Sequence, residues 1–117
     1  MVIEVITPGT ARLAMTVAPS MVNGHGLCHG GFIFTLADST FAFACNTYNE
    51  RCVAQHCSIT YLRPGKLGMR LVATARERSR AGRSGIYDIT VTAGDEVIAE
   101  FRGHSRSLGR KFFEDQP

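Results

Sequence analysis

The sequence predicts an α+β domain in which an antiparallel sheet wraps around one long central helix. Residues 30–46 are almost uninterrupted apolar or small residues, and Asp38 is their only charged member. One β-rich segment precedes this stretch, and four follow it, joined by short turns. Short turns favour antiparallel neighbours. A helix that is apolar on nearly every side must be buried, so we expect it to lie across the sheet.

Each element has its own pattern in the sequence. Leu13, Met15 and Val17 alternate with other residues, which predicts a first strand that ends at Pro19. The apolar stretch predicts a helix over residues 31–47. Further strands are expected at residues 53–62, 67–78, 86–93 and 97–107, with turns at residues 63–65, 79–85 and 94–95. Residues 1–117 are interpreted as one domain, with an ordered core at about 10–108 and a mobile polar tail at 109–117.

Composition limits the classes of protein that fit. The chain has 117 residues and a formal net charge of +3, and its basic excess lies downstream of residue 60. Such a patch attracts phosphates without selecting among them, and no nucleic-acid-binding module is recognisable. The first twenty residues show no signal-peptide pattern, and Asp38 would be costly in lipid. The four cysteines form no CxxC pair, so we expect reduced thiols, a cytoplasmic location and no membrane association.

Asp38 and the loop before the helix indicate acyl chemistry. A carboxylate inside an apolar helix must be paired, neutralised or used. The preceding loop ends in His29-Gly30-Gly31, which brings free backbone N–H groups to the positive end of a helix. Asp38 could attack an acyl group directly or activate water as a general base, and both routes stay open. Thr35 lies one turn away and could donate a hydrogen bond to the carboxylate. A purely structural Asp38, which caps or bonds to neighbouring backbone, is the rival interpretation.

The spacing of these groups predicts a site between two subunits. Eight residues at ~1.5 Å each separate Gly30 from Asp38 by about 12 Å along one helix. One thioester cannot touch both residues. Two antiparallel helices from two subunits would bring Gly30 of one copy against Asp38 of the other. If both residues are catalytic, the site therefore lies at a dimer interface.

Several motifs together resemble the hotdog-fold acyl-CoA thioesterases. They are His29-Gly30-Gly31 at the start of the helix, Leu36-Ala37-Asp38-Ser39 within it, and Tyr61-Leu62-Arg63-Pro64-Gly65 after the next strand. The chain is most similar to the PaaI-type branch, the thioesterases of phenylacetic acid degradation, over about residues 12–108. The resemblance implies a homodimer with a continuous sheet, commonly a tetramer. It also implies hydrolysis of coenzyme A thioesters, with aryl-acyl groups such as hydroxylated phenylacetyl as expected substrates, and without a metal or other cofactor.

The resemblance also implies roles for individual residues. Asp38 would be the catalytic carboxylate, Gly30 the backbone donor to the thioester carbonyl with Gly31 beside it, and Asn23 would orient the carbonyl or the water. Several relatives carry Ser or Thr near Ala54, whose side chain cannot bind a water. The remaining substrate-binding candidates are the loop residue His29, the strand residues Gln55 and His56 in place of that Ser or Thr, and, for the coenzyme A phosphates, Arg63, Arg80 and Arg83.

Two other kinds of site and one other function were weighed. His25, Cys28 and His29 are potential metal ligands, but their spacing matches no common zinc pattern. Cys28 is a potential nucleophile with a histidine nearby but no clear third group. The alternative function is a non-catalytic or dehydratase-like hotdog protein that binds acyl-CoA or acyl carrier protein. Such dehydratases usually depend on a histidine, whereas this helix contributes Asp38 and no histidine.

Overall fold

One antiparallel sheet and one long helix make up the fold. The computed structural model describes residues 1–113, in the order β1 (Val2–Thr7), β2 (Thr10–Thr16), a short 3-10 helix (Pro19–Met21), α1 (Gly30–Cys45), β3 (Cys52–Tyr61), β4 (Arg70–Ala81), β5 (Ser84–Ala93) and β6 (Glu96–Ser107). The strands pair in the order β1-β2-β4-β5-β6-β3. α1 packs across the sheet and contacts every strand, β2, β4 and β5 most extensively. The predicted fold class is confirmed.

Small residues on the sheet allow α1 to pack closely against it. The helix buries an apolar face made of Ile33, Leu36, Ala37, Phe41 and Ala44. Opposite this face the sheet presents several residues with little or no side chain, namely Ala11, Ala73, Ala75 and Gly103. The ring of Phe41 occupies the space that a side chain at Gly103 would need, because a Cβ there would lie 2.7 Å from the ring. This contact sets how near the middle of α1 comes to β6.

Two boundaries differ from the sequence-based expectation. α1 ends at Cys45 rather than near residue 47, since the Asn46 side chain turns back to accept a hydrogen bond from the Cys52 N–H at 2.8 Å. Its amide group also donates to the Ala42 carbonyl at 2.7 Å. β4 begins at Arg70 and continues to Ala81, so residues 79–81 are strand rather than turn. Their small and basic composition resembles a loop, but they pair with β5 in an exposed hairpin.

The chain ends contain structure that the sequence did not predict. β1 pairs with β2 at one edge of the sheet, and Glu4 in β1 forms an ion pair with Arg70 at 3.1 Å. Residues 109–113, part of the predicted mobile tail, contact the loop between α1 and β3. The Asn49 side chain exchanges two hydrogen bonds with the Phe113 backbone, at 2.9 and 3.0 Å. The rest of that predicted tail, residues 114–117, lies outside the described residues.

Within residues 1–113 both edges of the sheet, β1 and β3, and one face of α1 are left open. β3 is an edge strand that pairs with β6 on one side, and no strand within residues 1–113 pairs with its other side. One face of α1 is also uncovered, where Phe32 and Phe43 are 38% and 41% exposed. Within the described part of the chain, no helix has the length and apolar character needed to cross a membrane.

The contact between Phe41 and Gly103 yields a stability prediction. We expect Gly103→Ala to lower the free energy of unfolding by about 1–3 kcal/mol, the usual cost of overpacking a core. Urea denaturation followed by circular dichroism would measure it. Gly24→Ala is the matched control, because a Cβ there meets no heavy atom within 4 Å. Phe41→Leu should recover part of the loss in the Gly103→Ala background, and equal stability of the two alanine variants would contradict the prediction.

Candidate active site

The segment before α1 is a small hairpin organised by Asn23. Val22 pairs with Cys28, and the backbone N–H of Asn23 donates to the Leu27 carbonyl at 2.9 Å. The Asn23 side-chain oxygen accepts hydrogen bonds from the N–H groups of His25 at 2.9 Å and Leu27 at 3.2 Å. An asparagine that bonds to backbone two residues on is typical of a tight turn. Asn23 therefore holds the loop in shape, a role that the sequence analysis did not assign to it.

The loop after β3 braces this hairpin. The N–H of Cys28 donates to the Gly65 carbonyl at 2.7 Å, and the N–H of Leu67 donates to the Gly26 carbonyl at 3.0 Å. A further bridge joins Leu27 to Lys66. The two motifs that the sequence places more than thirty residues apart are thus hydrogen-bonded to each other. Together they fix the point at which α1 begins.

The first turn of α1 carries two free backbone donors. His29 is the N-cap residue and makes no side-chain cap, and the first turn contains no acidic residue. Among the residues that the structure describes, no acceptor reaches the N–H groups of Gly30 or Gly31. Partial positive charge collects at such a helix end. The turn can therefore stabilise the negative oxygen that forms when a carbonyl is attacked.

Tyr61, the last residue of β3, lies directly on this turn. Its hydroxyl donates to the Gly30 carbonyl at 2.9 Å. A Cβ on Gly30 would lie 3.1 Å from the phenol ring, so the close approach favours glycine at this position. The sequence analysis used Tyr61 only as part of a motif. A contact between residues 31 positions apart leaves no local signal in the sequence.

An open groove runs beside the helix start. Its volume is ≈ 430 Å³, and its lining includes Cys28, Gly30, Ile33, Tyr61, Leu62 and Arg63. Arg63 lies at the rim, where its guanidinium donates to the Val97 carbonyl at 2.8 Å. The groove is mostly neutral apart from this arginine. It offers space for an acyl thioester next to the Gly30 N–H.

Asp38 lies in the middle of α1 and is half-buried. No donor within residues 1–113 reaches its carboxylate. The expected hydrogen bond from Thr35 is wrong, because the Thr35 hydroxyl donates to the Gly31 carbonyl at 2.8 Å. Asp38 faces β3, where burial and then the nearby negative charge of Asp38 raise the pKa of the Cys57 thiol. The carboxylate is thus left available beside the open edge of the sheet.

The other predicted substrate-binding residues lie away from the start of α1 within one chain. Gln55 stands at a β-bulge in β3. His56 packs against His104 with ring centroids 5.5 Å apart, on the sheet face opposite the helix, since His104 alternates with the inward Gly103 and Ser105. Near the C-terminal end of α1 lie Arg80, whose guanidinium is 3.7 Å from the centroid of the Tyr48 ring, and Arg83. In one chain, only Asn23, His29, Gly30, Gly31 and Arg63 gather around the helix start.

The two alternative sites gain no support from the geometry. Within residues 1–113, no three His, Cys, Asp or Glu side chains are grouped so as to hold a metal ion, so His25, Cys28 and His29 do not form such a set. Burial raises the pKa of the Cys28 thiol. A raised pKa keeps this group as the thiol at neutral pH, whereas nucleophilic attack needs the thiolate.

Comparison with known proteins identifies the family to which the chain belongs. Residues 25–100 match the family model of the thioesterase superfamily. The chain is 46% identical over 102 residues to the acyl-coenzyme A thioesterase PaaI of Escherichia coli, covering 86% of this chain and 73% of that protein. It is 34% identical to human acyl-coenzyme A thioesterase 13, covering 87% of this chain and 75% of the relative.

Solved structures agree with this result. The E. coli PaaI structure superposes with a TM-score of 0.90 at 43% identity, over 93% of this chain and 80% of that one. A Streptococcus mutans structure bound to acetyl CoA gives a TM-score of 0.89 at 26% identity, over 94% of this chain and 90% of that one. The chain belongs to the thioesterase superfamily. Within it the chain is similar to the PaaI thioesterases, so the predicted family is confirmed.

Asn23 gives a prediction that separates holding the loop from contacting the substrate. Asn23→Ala removes the oxygen that accepts two backbone bonds, so we expect a loss of about 0.5–2 kcal/mol in stability and faster exchange of the Leu27 amide hydrogen. Asn23→Asp keeps an acceptor oxygen and should retain slow exchange. Hydrogen exchange followed by NMR would measure both variants. An unchanged Leu27 exchange rate in Asn23→Ala would show that the loop does not depend on this side chain.

Proposed function

We propose that this protein hydrolyses acyl-CoA thioesters in the cytoplasm, with aryl-acyl groups such as hydroxylated phenylacetyl as substrates in the catabolism of phenylacetate. The observation that carries the proposal is a pair of N–H groups, at Gly30 and Gly31, that no acceptor within residues 1–113 reaches. They lie beside an open groove and on the same helix as Asp38. The similar E. coli PaaI protein comes from the phenylacetic acid degradation operon, which supports the aryl preference. The acetyl CoA in the Streptococcus mutans relative supports coenzyme A as the carrier. The four free cysteines fit a reducing compartment.

The chemistry needs no cofactor. The thioester carbonyl would accept a hydrogen bond from the Gly30 N–H, and one such donor is typically worth about 3 kcal/mol in the transition state. Asp38 would then attack the carbonyl carbon to give a mixed anhydride, or remove a proton from an attacking water. In the first route the coenzyme A thiolate leaves as the anhydride forms and takes a proton from solvent, and a water molecule then hydrolyses the anhydride, which releases the acyl group as a carboxylate and restores Asp38. In the second route the oxygen of the attacking water enters the acyl group, and the proton that Asp38 removed passes to the leaving coenzyme A thiolate. Both routes need Asp38 ionised and close to the carbonyl.

Two copies of the chain would complete the site. Gly30 and Asp38 are about 12 Å apart along α1, too far for one thioester. The uncovered face of α1 carries a line of small residues around Asp38, at Gly31, Thr35 and Ala42. Small side chains allow a second helix to approach. No strand within residues 1–113 occupies the outer edge of the ten-residue β3, which leaves that edge for antiparallel pairing. We propose a homodimer with a continuous sheet, assembled further into a tetramer.

The proposed dimer would also bring Arg63, Arg80 and Arg83 together. Antiparallel pairing of two β3 strands places the Cys52 end of one strand beside the Tyr61 end of the other. Arg80 and Arg83 lie at the Cys52 end, and Arg63 lies at the rim of the groove near Tyr61. Arg80 and Arg83 of one copy would then face Arg63 of the other. Three guanidinium groups at one end of a site suit the phosphates of coenzyme A.

The central prediction concerns Asp38. We expect Asp38→Asn to lower kcat by about 100-fold or more, because the amide can neither attack nor act as a base. Release of free thiol from a panel of aryl- and alkyl-CoA thioesters would measure it. Asp95→Asn, in the exposed turn between β5 and β6, is the control for loss of one negative charge. Equal rates for wild type and Asp38→Asn would assign Asp38 a structural role.

The same assay tests the alternative of a non-catalytic or dehydratase-like protein. This alternative function requires acyl-CoA or acyl carrier protein to bind without thiol release. Titration calorimetry with a non-hydrolysable acyl-CoA thioether would detect the binding. Tight binding by a wild-type protein that releases no thiol from any ester would replace the thioesterase proposal with this alternative.

A mixing experiment tests whether the site is shared. Gly30→Pro deletes the N–H at a position where the backbone suits proline, since it is the first residue of the helix and His29 before it is extended at φ −61° and ψ 137°. The proline ring would press on Tyr61, which lies 3.1 Å from a Cβ at Gly30, so circular dichroism is used first to check that the variant folds. Each of Gly30→Pro and Asp38→Asn should be inactive alone. Co-refolded in equal amounts, they should regain about one quarter of wild-type activity, because half the dimers are mixed and one of their two sites is intact. A mixture that stays inactive, with mixed dimers present by mass spectrometry, would place the site within one chain.

A further inference from the structure

We propose that Tyr61 is a positioning residue of this site, whose hydroxyl holds the Gly30–Gly31 peptide group and so fixes the N–H of Gly31 as a second donor to the substrate oxygen. The inference rests on the proposed thioesterase function. Its basis is the hydrogen bond of 2.9 Å from the Tyr61 hydroxyl to the Gly30 carbonyl. That carbonyl and the Gly31 N–H belong to one planar peptide group. Holding one end of the group therefore holds the other.

The hydrogen bond also changes the strength of the donor. A donor on the carbonyl oxygen draws electron density through the amide and makes its N–H more positive, as in chains of cooperative hydrogen bonds. Within residues 1–113 the Gly31 N–H has no acceptor. A more positive, unpaired N–H is a better partner for a negative oxygen. Tyr61 thus acts on the substrate through the peptide rather than by touching it.

The first turn of α1 needs such a restraint. Gly30 and Gly31 are adjacent, and each glycine weakens a helix by about 1 kcal/mol relative to alanine. The side chain of the N-cap residue His29 makes no capping hydrogen bond in the structure of residues 1–113. A turn built in this way frays unless something outside the helix holds it. Tyr61 supplies that hold from the end of β3, a strand that is itself paired to β6.

The hydroxyl can be removed without removing the ring. The phenol ring lies against Gly30, with ring atoms 3.1 Å from the position of a Cβ. Tyr61→Phe keeps this packing and deletes only the hydrogen bond. Tyr87→Phe is the matched control, because it also deletes one phenol hydroxyl, the one that donates to Glu77 at 3.3 Å in the sheet. Both variants should stay folded and keep the oligomeric state of the wild type.

Kinetics separate positioning from binding. We expect Tyr61→Phe to lower kcat about three- to tenfold, the loss typical of one neutral hydrogen bond. KM should stay within about twofold, because the lost interaction acts in the transition state. Tyr87→Phe should keep both parameters. A raised KM with kcat unchanged would instead make Tyr61 a substrate-binding residue and overturn the proposal.

A spectroscopic measurement reads the hydrogen bond itself. Gly30–Gly31 is the sole pair of adjacent glycines in the chain. Protein labelled only with glycine that carries ¹³C at the carbonyl and ¹⁵N at the amide therefore gives one carbonyl-to-amide correlation, from this peptide. Tyr61→Phe should move that carbonyl carbon upfield and shift the Gly31 amide proton, and Tyr87→Phe should leave both in place. An unmoved correlation in Tyr61→Phe would overturn the proposal.

Different results would overturn the proposed function and the role of Tyr61. A wild-type protein that releases no thiol would overturn the proposed function, and with it any catalytic meaning of Tyr61. A normal wild-type rate with an unchanged kcat in Tyr61→Phe would overturn the role of Tyr61 alone. The expected result is a wild type that turns over, a variant with lower kcat at similar KM, and a shifted Gly30–Gly31 correlation.

Discussion

α1 is a stiff rod, and the fixed separation of about 12 Å between its first turn and Asp38 governs the organisation of the molecule. The helix is held on the sheet by buried side chains such as Ile33 and Phe41, so neither group can travel toward the other. A reaction that needs both must bring a second helix alongside. Such an arrangement would use two of the surfaces that the described chain leaves open, the β3 edge and the face of α1 around Asp38.

The depth at which Asp38 sits follows from small residues on the sheet. Ala73 and Ala75 of β4 and Gly103 of β6 give α1 room to approach. Larger residues there would lift the helix and its carboxylate away from β3. Asp38 would then lose its partly buried position beside β3, on which the proposed catalytic role depends. The packing of the core therefore determines where the Asp38 carboxylate lies.

The sequence predicted most of the architecture because its signals are local. Alternation in the strands, the apolar run of α1 and the turn residues each act over a few positions. β1 was missed because Val2, Ile3, Val5 and Ile6 do not alternate, and a bulge at Glu4 interrupts their pairing. The site was only partly predictable. Motifs marked Gly30 and Asp38, but the hydrogen bonds of Asn23 and Tyr61 depend on how distant segments meet.

The first turn of α1 is intrinsically weak, and three neighbours compensate for it. Its two glycines leave backbone N–H groups accessible, as the proposed site requires, at the cost of helix stability. Asn23 shapes the hairpin that leads into the turn, Gly65 accepts a hydrogen bond from Cys28 behind it, and Tyr61 bonds to the Gly30 carbonyl beside it. The loop after β3 therefore does more than reverse the chain. It supplies the restraint that lets an accessible helix end also be an ordered one.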